Sequence, residues 1–145
     1  MRVSVELPFD PVAAVRPKVT RWNTYYPGAY GKWLPEVREW LSNNWHKDPL
    51  DCELSATLLF VVPRPRSHYG TGRNAGKPKP SAPRYPHPDI DNYIKAALDA
   101  MNGTVYRDDK LIIDLSARKV YGDPGHIQVT LRRADHGADP PALSQ

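Results

Sequence analysis

The sequence predicts an α+β fold, a mixed β-sheet of four or five strands with two main helices. Three observations lead there. Segments near both ends alternate apolar and polar residues with period two, the pattern of strands with one buried face. Between them a run closes on Leu58, Leu59, Phe60, Val61 and Val62, as in a strand at the centre of a sheet. Two further stretches space their apolar residues as helices do.

In chain order, Val3, Val5 and Leu7 alternate with Arg2, Ser4 and Glu6, giving a first strand that stops at Pro8. Residues 10–33 hold prolines and aromatics and predict a structured loop. Pro35 then opens a helix, as proline can in a first turn. Val37, Trp40, Leu41 and Trp45 form its stripe over about three turns, and Pro49 forces its end. Glu53 to Val62 is the apolar strand.

Residues 63–88 differ in kind: seven prolines, three glycines and no acid. A loop this long inside a compact domain is commonly functional. A second helix starts near Asp91, with Ile94, Ala97, Leu98 and Met101 as its stripe and Gly103 where a C-terminal cap is wanted. Val105 and Tyr106 are a short extended piece, Asp108 and Asp109 a turn, and Leu111 to Tyr121 a strand. Ile127, Val129 and Leu131 alternate in the last strand. Residues 1–133 thus form one domain, and 134–145 are expected to be a disordered tail.

The chain of 145 residues carries 20 Lys and Arg against 16 Asp and Glu, a net charge of +4. That total is only mildly basic, so placement decides its meaning. Arg64, Arg66, Arg73, Lys77, Lys79 and Arg84 sit in the acid-free loop. Arg16 and Lys18 lie in an aromatic segment with Trp22, Tyr25, Tyr26, Tyr30 and Trp33. Such aromatics could stack on unpaired bases. The alternative is that the tryptophans are core, above all Trp40 and Trp45 on the helical stripe. A single thiol, Cys52, makes neither an intramolecular disulfide nor a cysteine zinc site. No run reaches membrane-spanning length, so a cytoplasmic protein is expected.

The chemistry concentrates in Asp89-Ile90-Asp91-Asn92-Tyr93-Ile94-Lys95. Pro88 biases the chain toward an extended approach, and i and i+2 of an extended segment share one side, so Asp89 and Asp91 point together. Asp91 suits a helix N-cap. Lys95, four residues on, lies on the same face one turn later. Two or three carboxylates suffice for Mg²⁺, a hard cation that keeps waters and takes phosphate oxygens. Such an ion activates water and offsets charge in phosphodiester hydrolysis. Taken singly, Asp91 is a cap, Asp108-Asp109 a solvated turn and Lys95 a surface lysine. An EF-hand fails, because its sixth position would be Ile94 and its twelfth Ala100. The combined spacing of D-x-D-N-x-x-K, helix, glycine and D-D is more specific than its parts.

Residues 88–119 resemble the RusA family of Holliday junction resolvases, the crossover junction endodeoxyribonucleases. The family pattern is D-[IL]-D-N-L-x-K, a helix with D-A-[LM], a glycine turn, an aromatic and D-D before a strand ending in lysine. The first strand and Arg16-Pro17 also fit, and the long loop is like that of the phage-type branch. Tyr93 stands where leucine is usual. The resemblance implies a homodimer that depends on Mg²⁺, with Mn²⁺ as a substitute. It implies paired nicking of four-way junctions and branched DNA by metal-activated water, in a bacterial or phage-infected cell. It assigns metal binding and catalysis to Asp89, Asp91 and Asp109, an essential lysine to Lys95, and a recurrent basic position to Lys119. Asp108, Asn92 and Asp99 match further family positions. The expected DNA contacts are Arg16, Lys18, Arg64, Arg66, Arg73, Lys77, Lys79, Arg84 and Lys119. The competing reading is a non-catalytic DNA-binding module in which the aspartates only cap and turn.

Overall fold

The computed structural model describes residues 1–135. Four strands form one mixed sheet: β1 (Arg2–Leu7), β4 (Leu54–Val62), β5 (Ile112–Tyr121) and β6 (His126–Arg133), in the order β1-β6-β4-β5. A separate two-stranded hairpin joins β2 (Lys18–Val19) to β3 (Thr24–Tyr25). The helices are α1 (Gly28–Asn44) and α2 (Ile90–Met101).

The period-two segments at the two ends of the chain find each other. Val3, Val5 and Leu7 lie opposite Leu131, Val129 and Ile127 in an antiparallel pair. The central apolar strand is β4, antiparallel to β6 on one side and parallel to β5 on the other. Parallel neighbours need a crossover, and α2 supplies it. Leu54, Ala56, Leu58 and Phe60 enter the core with the buried residues of both helices, while Thr57 on the other face of β4 is exposed.

The first helix starts earlier than expected. It runs from Gly28, and Pro35 lies inside it rather than opening it. Proline there cannot donate to the Gly31 carbonyl, a defect of about 3 kcal/mol. The two extra turns bury Tyr30, Trp33 and Leu34, each stabilising by about 1.5–3 kcal/mol, so burial wins. Its buried stripe is therefore Tyr30, Trp33, Leu34, Val37 and Leu41, with Trp40 and Trp45 at the margin. Trp33 belongs to this core and donates its indole N–H to the Asp10 carbonyl at 3.0 Å. Gly31 is fixed by space, since a Cβ there would run into the Tyr26 carbonyl.

The second helix forms where expected, but its buried stripe is turned from the expected one. Tyr93, Ala96, Ala97, Ala100 and Met101 are buried, while Ile94 and Leu98 are only half-buried at its margin. Three alanines let it lie close to the sheet. Tyr93 fits because it stacks on Phe60, with ring centroids 5.4 Å apart and planes at 22°. Gly103 takes φ +83°, as the expected cap requires. The loop of residues 63–88 has local order: 3-10 turns at Arg66–His68 and Gly72–Asn74, and backbone bonds from Lys79 N to His68 O and Gly70 N to Lys77 O. The expected tail falls largely outside the described residues. Ala134, its first residue, is buried and donates to the Glu53 carbonyl at 2.9 Å.

Candidate active site

The chain reaches α2 through Pro86, His87 and Pro88. Asp89, rather than Asp91, occupies the N-cap position, in extended conformation, and Asp91 stands in the first turn. Asp89 caps nothing with its side chain: no hydrogen bond runs from its carboxylate to the helix N–H groups. Both carboxylates are exposed. Both stand at the positive end of the helix macrodipole.

The helix carries Asp91, Lys95 and Asp99 as one stripe, each about 6 Å along the axis from the next. Lys95 turns forward, placing its Nζ 3.7 Å from Asp99 Oδ2. Asp99 is held from behind by two residues of α1. The buried Tyr30 hydroxyl donates to Asp99 Oδ2 at 3.0 Å, and Arg38 Nη2 donates to the Asp99 carbonyl at 3.1 Å. Burial, then the bond to Asp99 and its charge, push the Tyr30 phenol well above its ordinary range. Sequence patterning carried no sign that Tyr30 and Arg38 belong with this stripe.

Asp109 opens a 3-10 turn, Asp109–Leu111, directly before β5. Asp108 caps that turn by accepting the Lys110 N–H at 3.0 Å, which lowers its pKa. Asp109 goes the other way. Desolvation comes first, then its hydrogen bond with Asp108 and the charges of Asp108 and Asp99, against a lowering by Lys95. Lys95 is therefore the link between the two acidic groups, one turn from Asp91 and within electrostatic reach of Asp109. The two aspartates of the turn, equivalent in sequence, are thereby differentiated.

No group of three or more His, Cys, Asp or Glu side chains among the described residues is arranged to hold a metal ion. The donors on offer are carboxylate oxygens, the type Mg²⁺ takes. Mg²⁺ is commonly held by one or two carboxylates with waters and substrate phosphates, not in an all-protein cage. The donor chemistry thus fits Mg²⁺.

Positive charge borders the carboxylates. Lys119, on β5, donates from Nζ to the Pro88 carbonyl at 2.8 Å, next to Asp89. On another side, residues 10–17 pass α2 as a strap whose Ala14 N–H donates to the Asn92 carbonyl at 2.9 Å. Arg16 follows two residues later. Arg64 and Arg84 lie at the base of the long loop beside β5, whereas Arg66, Arg73, Lys77 and Lys79 are exposed further out. Lys18 lies exposed on the β2–β3 hairpin, with Trp22 84 % exposed near its tip.

The comparison with protein families returns endodeoxyribonuclease RusA over residues 8–132. The chain belongs to the RusA endodeoxyribonuclease family. A curated relative is the uncharacterized protein YqaN of Bacillus subtilis (strain 168), 40 % identical over 45 residues. That stretch is 31 % of this chain and 32 % of the relative, so the chain matches about a third of that relative's length. The match to the RusA family takes in the β2–β3 hairpin, β4, β5 and all but the last residue of β6, both helices, and Asp89, Asp91, Asp99, Asp108 and Asp109. No helix of the described residues is long and apolar enough to cross a membrane.

Proposed function

We propose that this RusA-family chain is a Mg²⁺-dependent endonuclease that resolves Holliday junctions by paired nicking of branched DNA, acting as a homodimer. The observation that carries this reading is the head of α2. Asp89 and Asp91 stand there exposed, with no capping bond from the N-cap aspartate, next to a lysine anchored at Pro88. A residue kept only to cap the helix would make the bond that Asp89 leaves unmade.

Asp89, Asp91 and Asp109 would hold the ion, with waters and a substrate phosphate completing a set that these side chains do not form as a three-residue cluster by themselves. When bound, Mg²⁺ supplies charge neutralisation at the phosphate and lowers the pKa of water, with Mn²⁺ able to substitute. The remaining work falls to the chain. Lys95 offers its ammonium to the scissile phosphate or leaving oxygen, and Asp99 with Tyr30 keeps that ammonium on the acidic side of the helix. Burial and the neighbouring Asp108 hold the Asp109 carboxyl above its ordinary pKa. Arg16, Lys18 and the loop cations supply phosphate contacts. A two-fold dimer matches a substrate of approximate two-fold symmetry and brings one site to each of two strands.

The test is nicking of a fixed four-way junction against linear duplex of the same sequence, with and without Mg²⁺. Paired nicks in the junction that require Mg²⁺ are expected. Equal cutting of both substrates would reduce the protein to a general nuclease. Tight junction binding with no cutting at any divalent metal would favour the non-catalytic module.

A further inference from the structure

A concavity of about 420 Å³ opens beside the head of α2, on the outer strand of the sheet. Its walls are the C-terminal part of β5 and the base of the long loop. Arg64, Arg84, Arg118 and Lys119 line it together with Tyr69 and Tyr121, and no acid does. The floor is built. The Arg64 guanidinium lies 4.1 Å over the Tyr121 ring and donates from Nη1 to the Pro83 carbonyl at 2.7 Å. His68 meets Tyr121 edge-on from 5.7 Å. Lys119 is held by the Pro88 carbonyl, with Tyr85 near its ammonium. Arg84 and Arg118 are different, since both are exposed and neither side chain makes a hydrogen bond or ion pair among the described residues.

Four cations in one concavity repel each other, and an anion is the partner that reverses the sign of that energy. Arginine's planar fork suits a phosphate, which takes two parallel N–H bonds. The charge also continues outward along the loop through Arg66, Arg73, Lys77 and Lys79, which favours a polyanion over a free ion. Lys119 belongs both to this concavity and to the backbone that delivers Asp89. We propose that the concavity is a subsite for one backbone phosphate of the strand being cut, gripped by Arg84 and Arg118 and floored by Arg64 on Tyr121. It deepens the nuclease reading and rests on it, adding Arg118, which sequence reasoning left out.

The test uses the full chain and a four-way junction, with binding measured without divalent metal over a series of salt concentrations. The R84A/R118A double variant should lower the slope of log affinity against log salt by about 1, as one phosphate contact is lost. R84K/R118K should restore most of the slope, because charge is kept. Neutralising single phosphates as methylphosphonates around the branch point should weaken wild-type binding about tenfold at one position. That same position should be silent in R84A/R118A. An unchanged slope, or equal methylphosphonate effects in both proteins, overturns the proposal. So does displacement of the junction by inorganic phosphate at matched ionic strength, which would assign a free-phosphate site instead. Because no cutting is involved, a wild type that never nicks would sink the nuclease reading while these results still judged the subsite.

Discussion

Replacing Tyr30 with Phe removes one oxygen from the interior and tests whether α1 supports the acidic stripe of α2. Tyr30 is 1 % exposed, and its hydroxyl donates to Asp99 Oδ2 at 3.0 Å. A bond to an ionised carboxylate contributes about 1.5–3 kcal/mol. The Asp99 side chain is 20 % exposed, so water can replace part of the bond, and the lower end, about 1.5 kcal/mol, applies. The Lys95–Asp99 pair is a smaller effect. At 3.7 Å, with Lys95 61 % exposed, it is worth about 0.3–0.5 kcal/mol. The phenyl ring keeps its contacts with Trp33 and Tyr26, so packing should not confuse the result. Urea denaturation of Y30F should show a lower midpoint at constant m, by about 1.5 kcal/mol. The melting temperature should fall about 5 °C, given about 3–5 °C per kcal/mol at this size. Asp99→Ala should cost about 2 kcal/mol, because it strands the buried Tyr30 hydroxyl. The Y30F/D99A double variant should cost no more than D99A alone, since no donor is left unpaired. Strict additivity within about 0.3 kcal/mol would refute the claim that Tyr30 and Asp99 act as one unit.

Asp89→Asn or Asp91→Asn should abolish Mg²⁺-dependent nicking and leave junction affinity within about threefold of wild type, an expectation checked by cleavage and gel-shift assays side by side. Lys95→Ala should lower turnover by about 10²-fold and barely change the KM for junction; a KM effect alone would make Lys95 a plain DNA contact. In metal-free protein, carboxyl NMR should find Asp109 titrating above Asp108, and Asp108→Asn should bring Asp109 down by removing a hydrogen bond and a like charge. Because folding raises the Asp109 pKa, acidification through its midpoint stabilises the fold. Asp108, whose pKa is lowered, contributes the opposite slope.

Where side chains alternate with a clean period, the sequence was a sufficient guide. Val129 and Leu131 could only face inward together, and Gly103 stands where the chain needs φ +83°. The local spacing of the candidate site was equally legible, because Asp89 precedes α2 directly and Asp91 and Lys95 lie one turn apart on it, although the cap position falls to Asp89 rather than Asp91. What stayed hidden was long-range. Pro35 masks the helix around it, and only the burial of Tyr30 and Trp33 against distant elements reveals that α1 runs through it. The 69-residue separation between Tyr30 and Asp99 leaves no trace in local spacing. Arg118 alternates along β5 like any exposed strand residue, and its role depends on where the loop comes back.

The base of the long loop is closed by short ties: Gly122 N to Val62 O at 3.0 Å, Arg64 to Pro83, and Lys119 to Pro88. Its outer part is closed again by Gly70 N to Lys77 O. Everything beyond Gly70 is therefore a cassette hung from a finished frame. Doubling the length of such a loop costs only about 0.6 kcal/mol in closure entropy. A lineage built on this frame can trade one arm for another, longer or differently charged, without moving β4, β5 or the head of α2, so that substrate choice and phosphodiester chemistry can evolve on separate pieces of chain.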